Sequence, residues 1–83
     1  MENQSINEAV AITSMGFKKD LRPYPRRMEF RGTVYNFIDA GLRCLVRSGN
    51  RITEILTLSD GHAYYRLRHD GFGGHWVLMS IEQ

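Results

Sequence analysis

The sequence predicts an all-β protein: a small antiparallel meander or partly open barrel of five to six strands, with a short N-terminal helix as the open alternative for the first segment. Three observations carry this reading. From residue 26 onward, turn signals (Arg31-Gly32, Asp39-Ala40-Gly41, Ser48-Gly49-Asn50, Asp60-Gly61 and Asp70 to Gly74) divide the chain every few residues. The stretches between them are short and rich in β-branched and aromatic residues. A chain of 83 residues holds one core, so residues 1–83 are expected to form a single domain.

The elements follow in order. Residues 1–8 are expected to be flexible. Residues 9–25 are expected to be a strand or short helix followed by a Pro-containing loop. Ser5-Ile6-Asn7-Glu8 fits a capping box with Gly16 as a stop, which argues for a helix. The β-branched content of Ala9 to Ser14 argues for a strand running through Phe17 into a turn at Lys18 to Asp20, and this is the favoured reading. Pro23 and Pro25 hold Arg22 to Pro25 extended. Residues 26–83 then read as the meander: Arg27–Phe30, Thr33–Ile38, Leu42–Arg47, Ile52–Leu58, Ala63–His69 and His75–Ile81. On the last of these, Trp76 and Leu78 are expected on one side, with Val77, Met79 and Ile81 on the other.

Turn chemistry supplies a register. A two-residue turn at Asp60-Gly61 places Leu58 opposite Ala63 and Leu56 opposite Tyr65. A three-residue turn at Ser48-Gly49-Asn50 places Arg47 opposite Arg51 and Val46 opposite Ile52. Both put Leu42, Val46, Ile52, Leu56 and Leu58 on one face, with Cys44 among them as a small buried apolar residue. The same register turns Glu54 inward beside Cys44. The other face gathers Arg43, Arg47, Arg51, Tyr64, Arg66 and Arg68, cations with one aromatic, a footprint suited to phosphates and stacked bases.

Composition agrees with a binding role. Lys+Arg number 11 against 9 Asp+Glu, and nine of the 11 are Arg, whose planar fork grips phosphate or carboxylate in bidentate fashion. Between Lys18 and Arg31 six cations face only Asp20 and Glu29, which suits either a contact arm for a polyanion or a solvated strand edge. No stretch approaches the ~20 apolar residues of a membrane-spanning helix, and Met1 to Gln4 lacks the layout of a signal peptide. With a single cysteine, a reducing, cytoplasmic location is expected, with no membrane partner.

No catalytic, metal or cofactor site is expected. His62, His69 and His75 match no zinc spacing. Phe72-Gly73-Gly74 lies between strands rather than before a helix, so it is read as a hairpin loop and not a phosphate cradle. Trp76 is read as a core residue rather than a binding patch.

The stretch Pro25 to Tyr35 (Pro-Arg-Arg-Met-Glu-Phe-Arg-Gly-Thr-Val-Tyr), with Asp60-Gly61, Tyr65 to Asp70 and Trp76-Val77-Leu78, resembles a group of small bacterial proteins of uncharacterised function. The resemblance spans about two thirds of the chain. Phe30 stands where a Trp is common in that group, and the Pro-Tyr-Pro approach is longer. It implies a compact meander and a strand for residues 9–17, and it implies no activity.

Two functions are therefore expected. The first is a non-enzymatic module contacting RNA or single-stranded DNA, without sequence preference, through the Arg-rich face. The alternative is a protein-interaction or homo-oligomerisation domain acting through an exposed edge strand or apolar patch.

Overall fold

The computed structural model describes residues 3–19, 22–38, 41–70 and 75–83. It contains seven strands: β1 (Asn3–Phe17), β2 (Pro23–Phe30), β3 (Thr33–Asn36), β4 (Leu42–Ser48), β5 (Arg51–Ser59), β6 (Tyr64–Asp70) and β7 (Trp76–Glu82). They form one open antiparallel sheet in the order β3-β2-β1-β7-β6-β5-β4. The all-β expectation holds, but with seven strands rather than five or six.

The N-terminal helix does not form among the described residues. Residues 3–8, expected to be flexible, are part of β1, with Asn3 opposite Glu82 and Ser5 opposite Ser80. The capping-box pattern loses because pairing with β7 satisfies the backbone over the whole segment, and a tertiary ladder outweighs a local propensity. Asn7 takes a left-handed φ of 56° where the β1–β7 register shifts, a conformation that asparagine tolerates better than most residues. Of the predicted turns, Asp39-Ala40 and residues 71–74 lie outside the described residues, as does Asp20.

This topology cannot lie flat. The 37–41 connection links β3 and β4, the two outer edges of the sheet. Across a flat seven-stranded sheet those edges would stand about 29 Å apart. Six Cα steps from Asn36 to Leu42 cover at most about 21 Å. The sheet therefore rolls, and among the described residues two hydrogen bonds fasten the roll. Ile38 N–H donates to the Ser59 carbonyl (2.9 Å) and the Arg43 guanidinium donates to the Pro23 carbonyl (2.7 Å), while Phe37 N–H extends the β2–β3 ladder by donating to the Arg26 carbonyl (2.8 Å).

The core fills the inside of the roll. Met28 and Phe30 from β2 meet Leu56 and Leu58 from β5, Tyr65 and Leu67 from β6, Leu78 from β7, and Phe37. Tyr65 packs against the rings of Tyr35 (5.3 Å) and Phe37 (5.4 Å). Trp76 joins this packing, as expected, and stacks on His69 with ring centroids 4.2 Å apart. Ile81 also packs inward, contrary to strict alternation along β7, because the β6–β7 register shifts between Arg66 and Leu67.

Candidate interaction edge

The site is built by two hairpins. At the β5–β6 connection Ser59 pairs with Tyr64, Leu58 with Tyr65 and Leu56 with Leu67. The expected two-residue Asp60-Gly61 turn is instead a four-residue loop, because the Asp60 side chain itself organises it. Asp60 Oδ1 accepts from His62 N–H (2.8 Å) and Ala63 N–H (2.9 Å), while Oδ2 accepts from Tyr65 O–H (2.6 Å). The register moves by two residues, so every side chain keeps its predicted face.

At the β4–β5 connection the error is one residue, and its effect is the opposite. Ser48 pairs with Arg51, Arg47 with Ile52, Val46 with Thr53 and Leu42 with Thr57. The loop is Gly49-Asn50, with Gly49 at φ 61°, the backbone a two-residue turn with glycine first requires. The one-residue difference exchanges the faces of β4. Leu42, Cys44 and Val46 share the outer face with Thr53, Ile55 and Thr57, whereas Arg43, Leu45 and Arg47 share the inner side with Glu54 and Leu56.

The predicted arginine face therefore divides. Arg51, Tyr64, Arg66 and Arg68 remain together on the outer face of β5 and β6. Arg43 and Arg47 do not join them. Arg43 is largely covered; its Nε lies 3.1 Å from Glu54 Oε2 as an ion pair, and its terminal nitrogen holds the Pro23 carbonyl. Glu54 turns inward as expected, but its neighbour there is Arg43 and not Cys44. Arg68 Nε is 3.5 Å from Asp70 Oδ1, which offsets part of its charge. Arg47 does not face Arg51, so the expected like-charge pair does not arise.

Arg43 is thus a fastening residue. Arg43→Ala is expected to lower unfolding free energy by about 1–3 kcal/mol, since it strips Glu54 of its cation and the Pro23 carbonyl of its donor. Urea titration measures it.

Cys44, predicted to be buried, is exposed. It belongs to an edge strand: among the described residues β4 forms a strand ladder with β5 alone, and only the Arg43 side chain reaches across the roll, to the Pro23 carbonyl of β2. The side chains along it are strongly apolar and open on both faces: Leu42 is 76% exposed, Leu45 63% and Val46 43%, with Ile52 of β5 at 46%. Edge strands of soluble proteins are ordinarily short, charged or covered. The other edge, β3, has four residues; β4 has seven. The signal was present in the sequence, since Leu42 to Val46 is apolar at both parities apart from Arg43. Amphipathic assignment forced one parity inward and hid it.

Other features are less suited to a ligand. A cleft of about 580 Å³ lies between β1, the β2–β3 turn and β7, with Ile6, Phe30, Tyr35 and Ile81 among its walls. Its cation, Arg31, is engaged by Glu8 and also covers the Phe30 ring. Among the described residues no three metal-binding side chains converge. His69 stacks on Trp76 and His62 follows the Asp60 turn.

No protein-family model, curated protein or solved structure matches this chain.

Proposed function

We propose that this chain is a protein-interaction module that acts through the β4 edge, receiving a further strand alongside Leu42–Ser48. The observation that carries this reading is an unpartnered seven-residue edge strand flanked by Leu42, Leu45 and Val46, all exposed. Strand addition supplies main-chain hydrogen bonds for affinity, and the alternating side chains supply selectivity. The mechanism is non-catalytic: free N–H and C=O groups of β4 exchange water for a partner's backbone while apolar surface on both faces is covered.

Site-specific photo-cross-linking tests it in the cells that make the protein. A photoreactive residue at Leu42, Leu45 or Val46 is expected to yield discrete adducts, while one at Glu29, exposed on β2, yields none. Absence of adducts at all three β4 positions overturns the reading.

A second reading is supported by one further arrangement. Tyr64, Arg66 and Arg68 alternate along the outer face of β6, with Arg51 at the neighbouring hairpin end. That arrangement offers phosphate contacts and one stacking ring to RNA or single-stranded DNA. With three cations engaged, log K should fall against log salt with a slope of about −2 for a single strand. Arg66→Ala/Arg68→Ala should then bring the slope close to −1, at about 0.7 per phosphate. An affinity unchanged by salt removes this reading.

A further inference from the structure

We propose that the strand received by β4 is β4 of a second copy, paired antiparallel about a two-fold axis that sets Cys44 opposite Cys44 of the partner subunit. The proposal rests on the reading of β4 as an interaction edge and adds to it the partner and the register.

The backbone comes first. The two-residue Gly49-Asn50 loop makes Ser48 and Arg51 the hydrogen-bonded closing pair of the hairpin. Alternation along an antiparallel ladder then turns the backbone groups of Val46, Cys44 and Leu42 toward β5, and leaves those of Arg43, Leu45 and Arg47 pointing out of the sheet edge. A two-fold axis perpendicular to the sheet presents this same comb to itself and joins outer face to outer face. Such an interface closes at two copies.

Charge and shape then choose among the registers. Centring the axis on Leu45 places Arg43 opposite the partner's Arg47, twice over, and centring on Arg43 places that residue against itself; like charges directly opposite are destabilising. Centring on Val46 leaves Leu42, the most exposed of the described large apolar side chains, beyond the paired segment. Centring on Cys44 avoids all three faults. Leu42 then meets the partner's Val46, Arg43 meets the partner's Leu45, and Arg47 passes over the partner's Gly41, which has no side chain to obstruct it. Across the junction the outer face runs Thr57, Leu42, the partner's Val46 and the partner's Thr53, and then Ile55, Cys44, the partner's Cys44 and the partner's Ile55, without a charge. On the inner side Glu54 pairs across from Leu45, whose new neighbour is the partner's Arg43, so opposite charges approach.

The cysteine reads out the register. In this pairing the two Cys44 residues form a non-hydrogen-bonded pair with Cα atoms about 4.5 Å apart, inside the range a disulfide spans. Diamide accepts the two electrons and two protons that the paired thiols give up. Purified full-length chain is expected to sediment as a dimer when reduced, and to cross-link through Cys44 at least about tenfold faster than Cys44→Ser/Leu45→Cys or Cys44→Ser/Val46→Cys. Faster cross-linking at position 45 or 46 overturns the register while leaving a β4 dimer in place. A reduced wild-type chain that sediments as a monomer at high micromolar concentration overturns the second copy as partner. In either case the photo-cross-linking experiment still decides separately whether β4 is an interaction edge.

Discussion

Gly41→Ala is expected to destabilise the fold by about 3 kcal/mol or more, with a melting temperature lower by about 12 °C or more. Gly41 lies just before β4 at φ 65°, a left-handed conformation that costs an L-residue about 1–2 kcal/mol. The larger obstacle is spatial. A Cβ at this position would stand 2.1 Å from the Thr57 carbonyl oxygen and 2.8 Å from a Leu58 methyl. The oxygen belongs to the backbone of β5 and Leu58 is fully buried, so neither can step aside. Alanine must push β4 off β5, and β4 carries the proposed edge. Gly32→Ala is the control: Gly32 also has positive φ (77°), but a Cβ there meets nothing within 4 Å. It should cost about 1–2 kcal/mol, the conformational part alone. Thermal unfolding followed by circular dichroism separates the two. Equal effects would mean that the close approach of Gly41 to β5 carries no weight.

The two hairpins show how much of this molecule was legible in the sequence. Strands after residue 26 were readable because turn residues and β-branched runs alternate there. Their faces were readable only where burial enforces parity. β5 and β6 hold Leu56, Leu58, Tyr65 and Leu67 in the core, so a two-residue error in their loop left each face intact. β4 contributes no residue to the core, and Leu42, Leu45 and Val46 are apolar at both parities. Nothing in its pattern resists a one-residue slip. The choice between a two- and a three-residue loop at Ser48-Gly49-Asn50 therefore decided the predicted site, and the backbone of Gly49 decides it the other way. The Arg43–Glu54 pair was unreadable for the same reason. Residues 3–8 were missed because their strand partner, β7, is the last in the chain, and no local pattern records a pairing of such sequence separation.

The Asp60–Tyr65 pair gives the second large effect. Asp60→Ala is expected to cost about 2–3 kcal/mol, because it leaves the His62 and Ala63 N–H groups and the Tyr65 hydroxyl without their acceptor. Tyr65 is only 4% exposed, so water reaches its hydroxyl poorly. The double-mutant cycle with Tyr65→Phe should show a coupling of about 1–2 kcal/mol, since the bond joins a neutral donor to a carboxylate. Additive single effects would assign the loop's stability to the two backbone bonds alone. The pH dependence follows from the same contacts. Burial pushes the Asp60 carboxyl up, but the hydrogen bonds from Tyr65, Ala63 and His62 outweigh it and hold the group below its ordinary 3.8. The folded state thus favours the ionised form. Its contribution is complete above the unfolded value and is lost as pH falls below about 4 toward the folded one. Burial, with the Asp60 bond and charge next, raises the Tyr65 phenol well above its ordinary 10.0. Above pH 10 the unfolded chain ionises this tyrosine while the folded chain keeps it neutral, and stability falls again. Wild type should therefore show a plateau bounded by these two slopes. Asp60→Asn should flatten the acid limb, because the amide does not titrate, and should keep an alkaline limb set by burial of Tyr65 but reduced by the loss of the Asp60 charge.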